Sequence, residues 1–236
     1  MVFVPLSDDN PLRAIPFQWV TILLIALNCV AYALQLAPGG ETAIAAFGLT
    51  PAELFGVEGS MGGDASSQVQ IPEGLTLITY QFLHGDVLHL LSNMIFLWVF
   101  GDNVEDAMGH VKFIAFYLLC GIAGGLAHAF LAPTSTLPLI GASGAVAGVI
   151  AAYLILHPRV RVWCLAFRII PLRIPAAWVL GVWAITQFVM VLMPSGDHVA
   201  WWAHIGGMAA GAVLIIFLRR PGVPLFDRGL PRVAAR

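Results

Sequence analysis

The stretch "LIGASGAVAGV", residues 139–149, decides how this chain is read. An apolar run that opens with Gly141, Ala142, Ser143 and Gly144 spends its first turn largely on weak helix formers and one hydroxyl. Packing alone accounts for the glycines, because small residues let membrane helices approach closely. Taken singly, a serine in such a helix bonds its own i−4 carbonyl or joins two helices. The other reading makes Ser143 a nucleophile and gives the small residues a second purpose: they admit a histidine from another helix.

The surrounding composition is that of a polytopic membrane protein. Of 236 residues, 59% are hydrophobic and 10% charged, and mean hydropathy is +0.88; soluble domains carry roughly 25% charged residues. Six segments approach the roughly 20 apolar residues that a helix needs to cross about 30 Å of hydrocarbon: about 17–36, 82–100, 112–131, 139–156, 175–193 and 201–218. The expected fold is therefore an all-α bundle of six transmembrane helices. The first segment is too long for the h-region of a signal peptide, about 7–15 residues, and reads as a retained anchor.

Lys and Arg set the orientation. Arg13, Lys112, Arg159, Arg161, Arg168, Arg173, Arg219, Arg220, Arg228, Arg232 and Arg236 all fall on one side of a six-span chain. The opposite loops, 37–81, 132–138 and 194–200, hold none. Both termini are expected in the cytoplasm, with the chain integral to the inner or plasma membrane. The expected organisation is a cytoplasmic N-terminal segment 1–16, a membrane domain 17–218 and a cytoplasmic Arg/Pro-rich tail 219–236. The tail reads as disordered, with its basic residues near anionic headgroups. Loop 37–81, with "IAAFGL" (44–49) and "GSMGGDASS" (59–67), is extracytoplasmic and expected partly in the outer interface.

The odd number of cysteines (Cys29, Cys120, Cys164) gives neither a disulfide framework nor metal-ligand spacing, and they read as small buried hydrophobes. No HExxH or GxGD motif is present, and no metal, cofactor or nucleic-acid partner is expected.

Spans 2, 4 and 6 enter from the side away from the arginines. Near those ends lie His89 and Asn93 in "HLLSN", Ser143 in "GASG" and His204 in "HIGGMAAG". Intramembrane histidines are costly and mark function. His204, Gly207 and Gly211 stand at i, i+3 and i+7, so one face carries an imidazole above two positions without side chains. Ala147 lies one turn below Ser143. These faces would let Ser143 and His204 reach hydrogen-bond distance, about 2.6–3.2 Å. His89 and Asn93, at i and i+4, offer donors toward one point, completing the parts of an acyl-transfer site. Asn28 and Gln187 read as packing residues, and His110, His128 and His157 as solvated or interfacial. No carboxylate has obvious reach to His204; Asp197 is in the preceding loop.

At these residues the sequence resembles a rhomboid intramembrane serine protease of the bacterial, six-helix type. "FLHGDVLHLLSNM" (82–94), GxSG as "GASG" (141–144) and HxxGxxxG as His204, Gly207 and Gly211 occur in family order. "FGDNVE" (100–105) matches through Gly101 and Glu105, and the likeness covers about residues 80–218. The resemblance implies Ser143 as nucleophile and His204 as general base, with His89, Asn93 and the Ser143 backbone N–H as the oxyanion hole. It also implies a transmembrane protein substrate admitted sideways from the lipid, with span 5 and "PSGDH" (194–198) as gate and cap. Two departures stand out: loop 37–81 lacks a Trp-Arg pair, and Ala147 replaces an aromatic one turn after the serine. The alternatives are a catalytically inactive rhomboid-like binding or quality-control protein, a membrane lipid hydrolase using the same residues, and a transporter.

Overall fold

The apolar runs form six long helices in the computed structural model, which describes residues 3–57, 71–167, 169–193 and 200–226. They are α1 (Trp19–Gln35), α2 (Val87–Met108), α3 (His110–Leu131), α4 (Ser143–Leu156), α5 (Ala176–Leu192) and α6 (Trp201–Leu218). By length and composition α2, α3 and α6 suffice to cross a membrane; α1, α4 and α5 are shorter apolar helices.

Helix α2 runs eight residues beyond the expected span, through Asp102, Asn103, Glu105 and Asp106. These polar residues are tolerated because three of them satisfy backbone groups elsewhere; Asn103 Nδ2 donates to the Asn10 carbonyl at 2.8 Å. Glu105, fully buried, accepts from Val20 N–H (3.0 Å), Thr21 N–H (2.8 Å) and Thr21 Oγ1 (2.6 Å), which are orphan donors at the start of α1. Asp106 accepts from the N–H groups of Arg13, Ala14 and Ile15 at 2.7–3.0 Å. The "FGDNVE" stretch thus fastens the N-terminal segment to the bundle. His110 belongs to the same cluster, with Nδ1 2.5 Å from Glu105, rather than to solvent alone.

The interface of α3, α4 and α6 is made by backbone contact. A Cβ on Gly207 would lie 1.9 Å from the Gly144 carbonyl oxygen, and one on Gly211 2.3 Å from that of Gly148. A Cβ on Gly148 would lie 2.5 Å from Cys120 Cβ on α3. No side chain fits at these crossings, as the glycine spacing predicts.

The all-α expectation needs correction. Strands β1 (Phe3–Asp8), β2 (Arg161–Ala166) and β3 (Ile170–Pro175) form an antiparallel sheet in the order β1-β2-β3. Phe3 pairs with Ala166 and Asp8 with Val162, with an irregularity between Pro5 and Ser7; Trp163 pairs with Arg173. In β2 Val162, Cys164 and Ala166 are buried while Arg161 and Trp163 are exposed, the period-two alternation of a strand. Pairing satisfies backbone groups that helices do not. Strand β3 leads without a break into α5.

The tail also departs from expectation over 219–226, where it folds back: Arg220 N–H donates to Ala107 O (2.8 Å) and Phe226 N–H to Ile155 O (2.6 Å). The remainder, 227–236, lies outside the described residues, as do 58–70 and 194–199. Cys120 and Cys164 are buried as expected, but Cys29 is exposed on α1. Loop 37–81 carries the short helices Ala43–Phe47, Pro51–Leu54 and Glu73–Thr79, of which the last two bury Pro51, Ala52 and Thr76. Leu49 bridges to Leu139, and both pack with Tyr80 and Ala203 beneath the start of α4.

Candidate active site

The chain reaches α4 through Gly141, whose φ of +121° suits glycine, and its N–H is held by the Tyr80 carbonyl at 2.9 Å. A Cβ there would also lie 2.8 Å from Cε1 and Nε2 of the His89 ring. Gly141 therefore lets the His89 imidazole lie over the turn that presents Ser143. Ser143 is the first residue of α4, where N–H groups lack intrahelical acceptors and the helix dipole favours negative charge.

The expected residues converge. Ser143 Oγ lies 2.8 Å from His204 Nε2, across the glycine contact of α4 and α6. Ser143, His204, His89 and Asn93 line one cleft of about 1390 Å³. Asn93 Nδ2 donates to the His89 carbonyl at 3.1 Å, which leaves its second N–H. The cleft runs between Ser92 and Phe96 of α2 and Val179, Trp183 and Met190 of α5, reaching Phe3 of the sheet. The Phe96 and Trp183 rings meet at its wall, tilted with centroids 6.0 Å apart.

Gln187 was assigned to packing, but its Oε1 lies 2.8 Å from His204 Nδ1. Gln187 Nε2 donates to Trp183 O at 2.8 Å, so the network assigns the oxygen to the imidazole. That oxygen only accepts, so Nδ1 carries the ring proton and Nε2 is left to accept from Ser143. Trp201 meets the His204 ring edge-on at 5.8 Å and Trp183 lies 6.0 Å away, so tryptophans flank the ring although Ala147 does not. The signal for Gln187 was present: it lies near the end of α5 that shares a level with the starts of α4 and α6, and an intramembrane amide there has the depth that singled out the histidines.

A hydroxyl bonded to a base, whose other nitrogen is held by an acceptor, beside a helix N-terminus is an arrangement suited to acyl transfer. A protein-family model described as the Rhomboid domain matches residues 72–221. RHOMBOID-like protein 4 of Arabidopsis thaliana is 32% identical over 69% of this chain and 39% of its own length. RHOMBOID-like protein 12, mitochondrial, of the same plant is 30% identical over 61% of this chain and 46% of its own. Rhomboid protease GluP of Bacillus subtilis is 32% identical over 57% of this chain and 24% of its own. The chain thus spans less than half the length of these relatives. With a family model matching more than half of it and its apolar helices in place, this chain belongs to the rhomboid family and is an integral membrane protein.

Proposed function

We propose that this protein is an intramembrane serine endopeptidase that cuts transmembrane protein substrates near the extracytoplasmic face with a Ser143–His204 dyad. The observation that carries this is the 2.8 Å contact of Ser143 Oγ with His204 Nε2 inside a cleft open between α2 and α5. The six helices are the six spans, and the one-sided arginines put both termini in the cytoplasm. Helix α4, with 14 residues, is about 21 Å long against a hydrocarbon core of about 30 Å, so Ser143 at its start sits below the outer surface. The name of the Bacillus subtilis relative, a rhomboid protease, agrees with this reading.

In the first half-reaction Ser143 Oγ bonds to the scissile carbonyl carbon and its proton passes to His204 Nε2. The oxyanion is met by the Ser143 N–H, Asn93 and His89. The C–N bond then breaks as His204 returns the proton to the leaving amine. Gln187 fixes the tautomer without adding negative charge. The acid of a soluble triad also stabilises the imidazolium that forms, and an uncharged amide does so less, so turnover is expected to be slow. A fluorophosphonate tests the reading directly: it should label the wild type at Ser143, and Ser143→Ala should lose both labelling and cleavage of a membrane substrate. Cleavage by purified Ser143→Ala would remove the assignment.

A further inference from the structure

The catalytic cleft does not end at the dyad. On α5 its lining residues Met190, Gln187, Trp183 and Val179 recur every three or four positions, so it follows one face of that helix toward the helix start. From Gln187, which holds His204, to Val179 is eight residues, about 12 Å of helix. Ile150, two turns below Ser143 on α4, lines the same length. Strand β3 runs directly into α5, so the sheet lies at that end. Two of its rings complete the lining: Phe3 of β1 and Phe167, in the turn between β2 and β3.

Phe167 is an unusual occupant of its turn. Ala166 pairs with Ile170, and Ile169 N–H donates to Ala166 O at 3.1 Å, which closes the hairpin. Phe167 has a φ of +50°, in a region that glycine or asparagine enters readily and a bulky side chain does not. It is 68% exposed, and its apolar neighbours Ile169 and Ile170 are 77% and 48% exposed. Neither turn chemistry nor core packing therefore accounts for an aromatic here, and backbone outliers of this kind cluster at functional sites. We propose, resting on the peptidase reading above, that the hairpin tip is a docking point for the membrane segment of the substrate. With the scissile bond at Ser143, the rest of that segment runs along α5 toward the cytoplasm. A length of about 12 Å takes about four residues if extended and about eight if helical. The Phe167 ring thus meets the substrate about four to eight residues from the cut. An apolar side chain gains contact area there. A charged one is left unpaired beside Phe3 and Phe167, which disfavours it. Phe167 is a specificity-determining residue in this scheme and touches no reacting atom.

The test uses the full-length protein in lipid vesicles with two probes. One is a single-span membrane protein that the wild type cleaves; the other is a short soluble peptide carrying the same cut. Phe167→Gly removes the ring at a φ that glycine accepts, so the turn is kept. It should raise KM for the membrane substrate about fivefold or more, with kcat, peptide cleavage and fluorophosphonate labelling within about twofold of wild type. A Lys placed in the substrate about four to eight residues from the cut should impair cleavage by the wild type. Phe167→Glu should restore it, a reversal that a merely structural role does not give. An unchanged KM in Phe167→Gly overturns the proposal, and so does a parallel fall of labelling and peptide cleavage. A photoreactive p-benzoylphenylalanine in place of Phe167, in Ser143→Ala to keep the substrate intact, should form adducts within that stretch of the substrate. Capture of lipid alone overturns the proposal by making the tip a bilayer anchor. Absence of labelling and cleavage in the wild type would instead defeat the peptidase reading.

Discussion

Helix α6 meets α4 and helix α5 faces α2 in opposite ways, although all four helices border the same cleft. Between α4 and α6 the contact is glycine against backbone oxygen, with no room for a Cβ at Gly207 or Gly211. Between α5 and α2 large side chains such as Trp183 and Phe96 border a groove. Interiors packed to backbone contact do not deform gradually, whereas a groove lined by side chains can widen by rotamer change and small helix shifts. The dyad spans the tight contact and the groove opens on the other side. The geometry of the chemistry is thus fixed where it must be, and the freedom is left where a substrate would enter.

The tight side breaks with the largest effect. Gly207→Leu forces α6 away from Gly144 and separates Ser143 from His204. Activity is expected to fall by more than about 10²-fold, since a displacement of 1 Å at a reacting pair costs that much, and fluorophosphonate labelling should fall in step. Normal labelling would mean that the glycine contact does not set the dyad distance. Next is a bond that crosses from the loose side, Gln187 to His204. Its loss in Gln187→Ala removes about 1.4 kcal/mol of orientation, typical of one hydrogen bond, and should lower kcat about tenfold. A fall confined to KM would place Gln187 in substrate binding instead.

A smaller effect is expected from restraining the groove. A short bismaleimide joining cysteines at Ser92 and Trp183, which are partly exposed on the cleft, in a Cys29→Ser background because Cys120 and Cys164 are buried, should slow cleavage of a membrane substrate several-fold and barely change fluorophosphonate labelling. Gating steps of this kind limit many enzymes. Equal rates with and without the link would point to another entry route. The smallest effect on activity belongs to Asp8, in the sheet at the base of α5. Burial pushes the Asp8 carboxyl up to about 6, against the opposing hydrogen bond donated by the Tyr153 hydroxyl. The folded state therefore prefers the protonated acid. Its contribution to stability is complete below about pH 4 and is lost as pH rises through about 6. Asp8→Asn should flatten the dependence of melting temperature on pH over that interval and leave cleavage unchanged; an unaltered profile would show that Asp8 does not titrate there.

The two sides differed as much in legibility as in packing. The glycine faces of α4 and α6 could be read directly, because spacing along one helix fixes which residues share a face. The grouping of His89, Asn93, Ser143 and His204 was inferred from depth and from shared helix faces; in the structure Ser143 Oγ lies 2.8 Å from His204 Nε2 and all four residues line one cleft. Gln187 lay at the same depth and was missed, because depth does not say how a helix is turned about its axis. Glu105 was noticed only as part of a motif. Its capping of Val20 and Thr21, 85 and 84 residues away, has no local signature.

What this sequence determined by itself was the set of apolar helices, the faces on which their backbones can touch and the level of the hydroxyl and imidazole. Hydrophobic length, helical period and charge asymmetry are properties of a single chain segment, so they are written locally. The tertiary structure alone decided which polar group holds His204 Nδ1, that Phe3–Asp8 pairs with Arg161–Ala166, and that Phe167 lines the cleft of Ser143. Those outcomes depend on helix rotation and on strands distant in sequence. A buried polar group takes whichever partner the packing brings near, and packing is settled by the whole molecule at once.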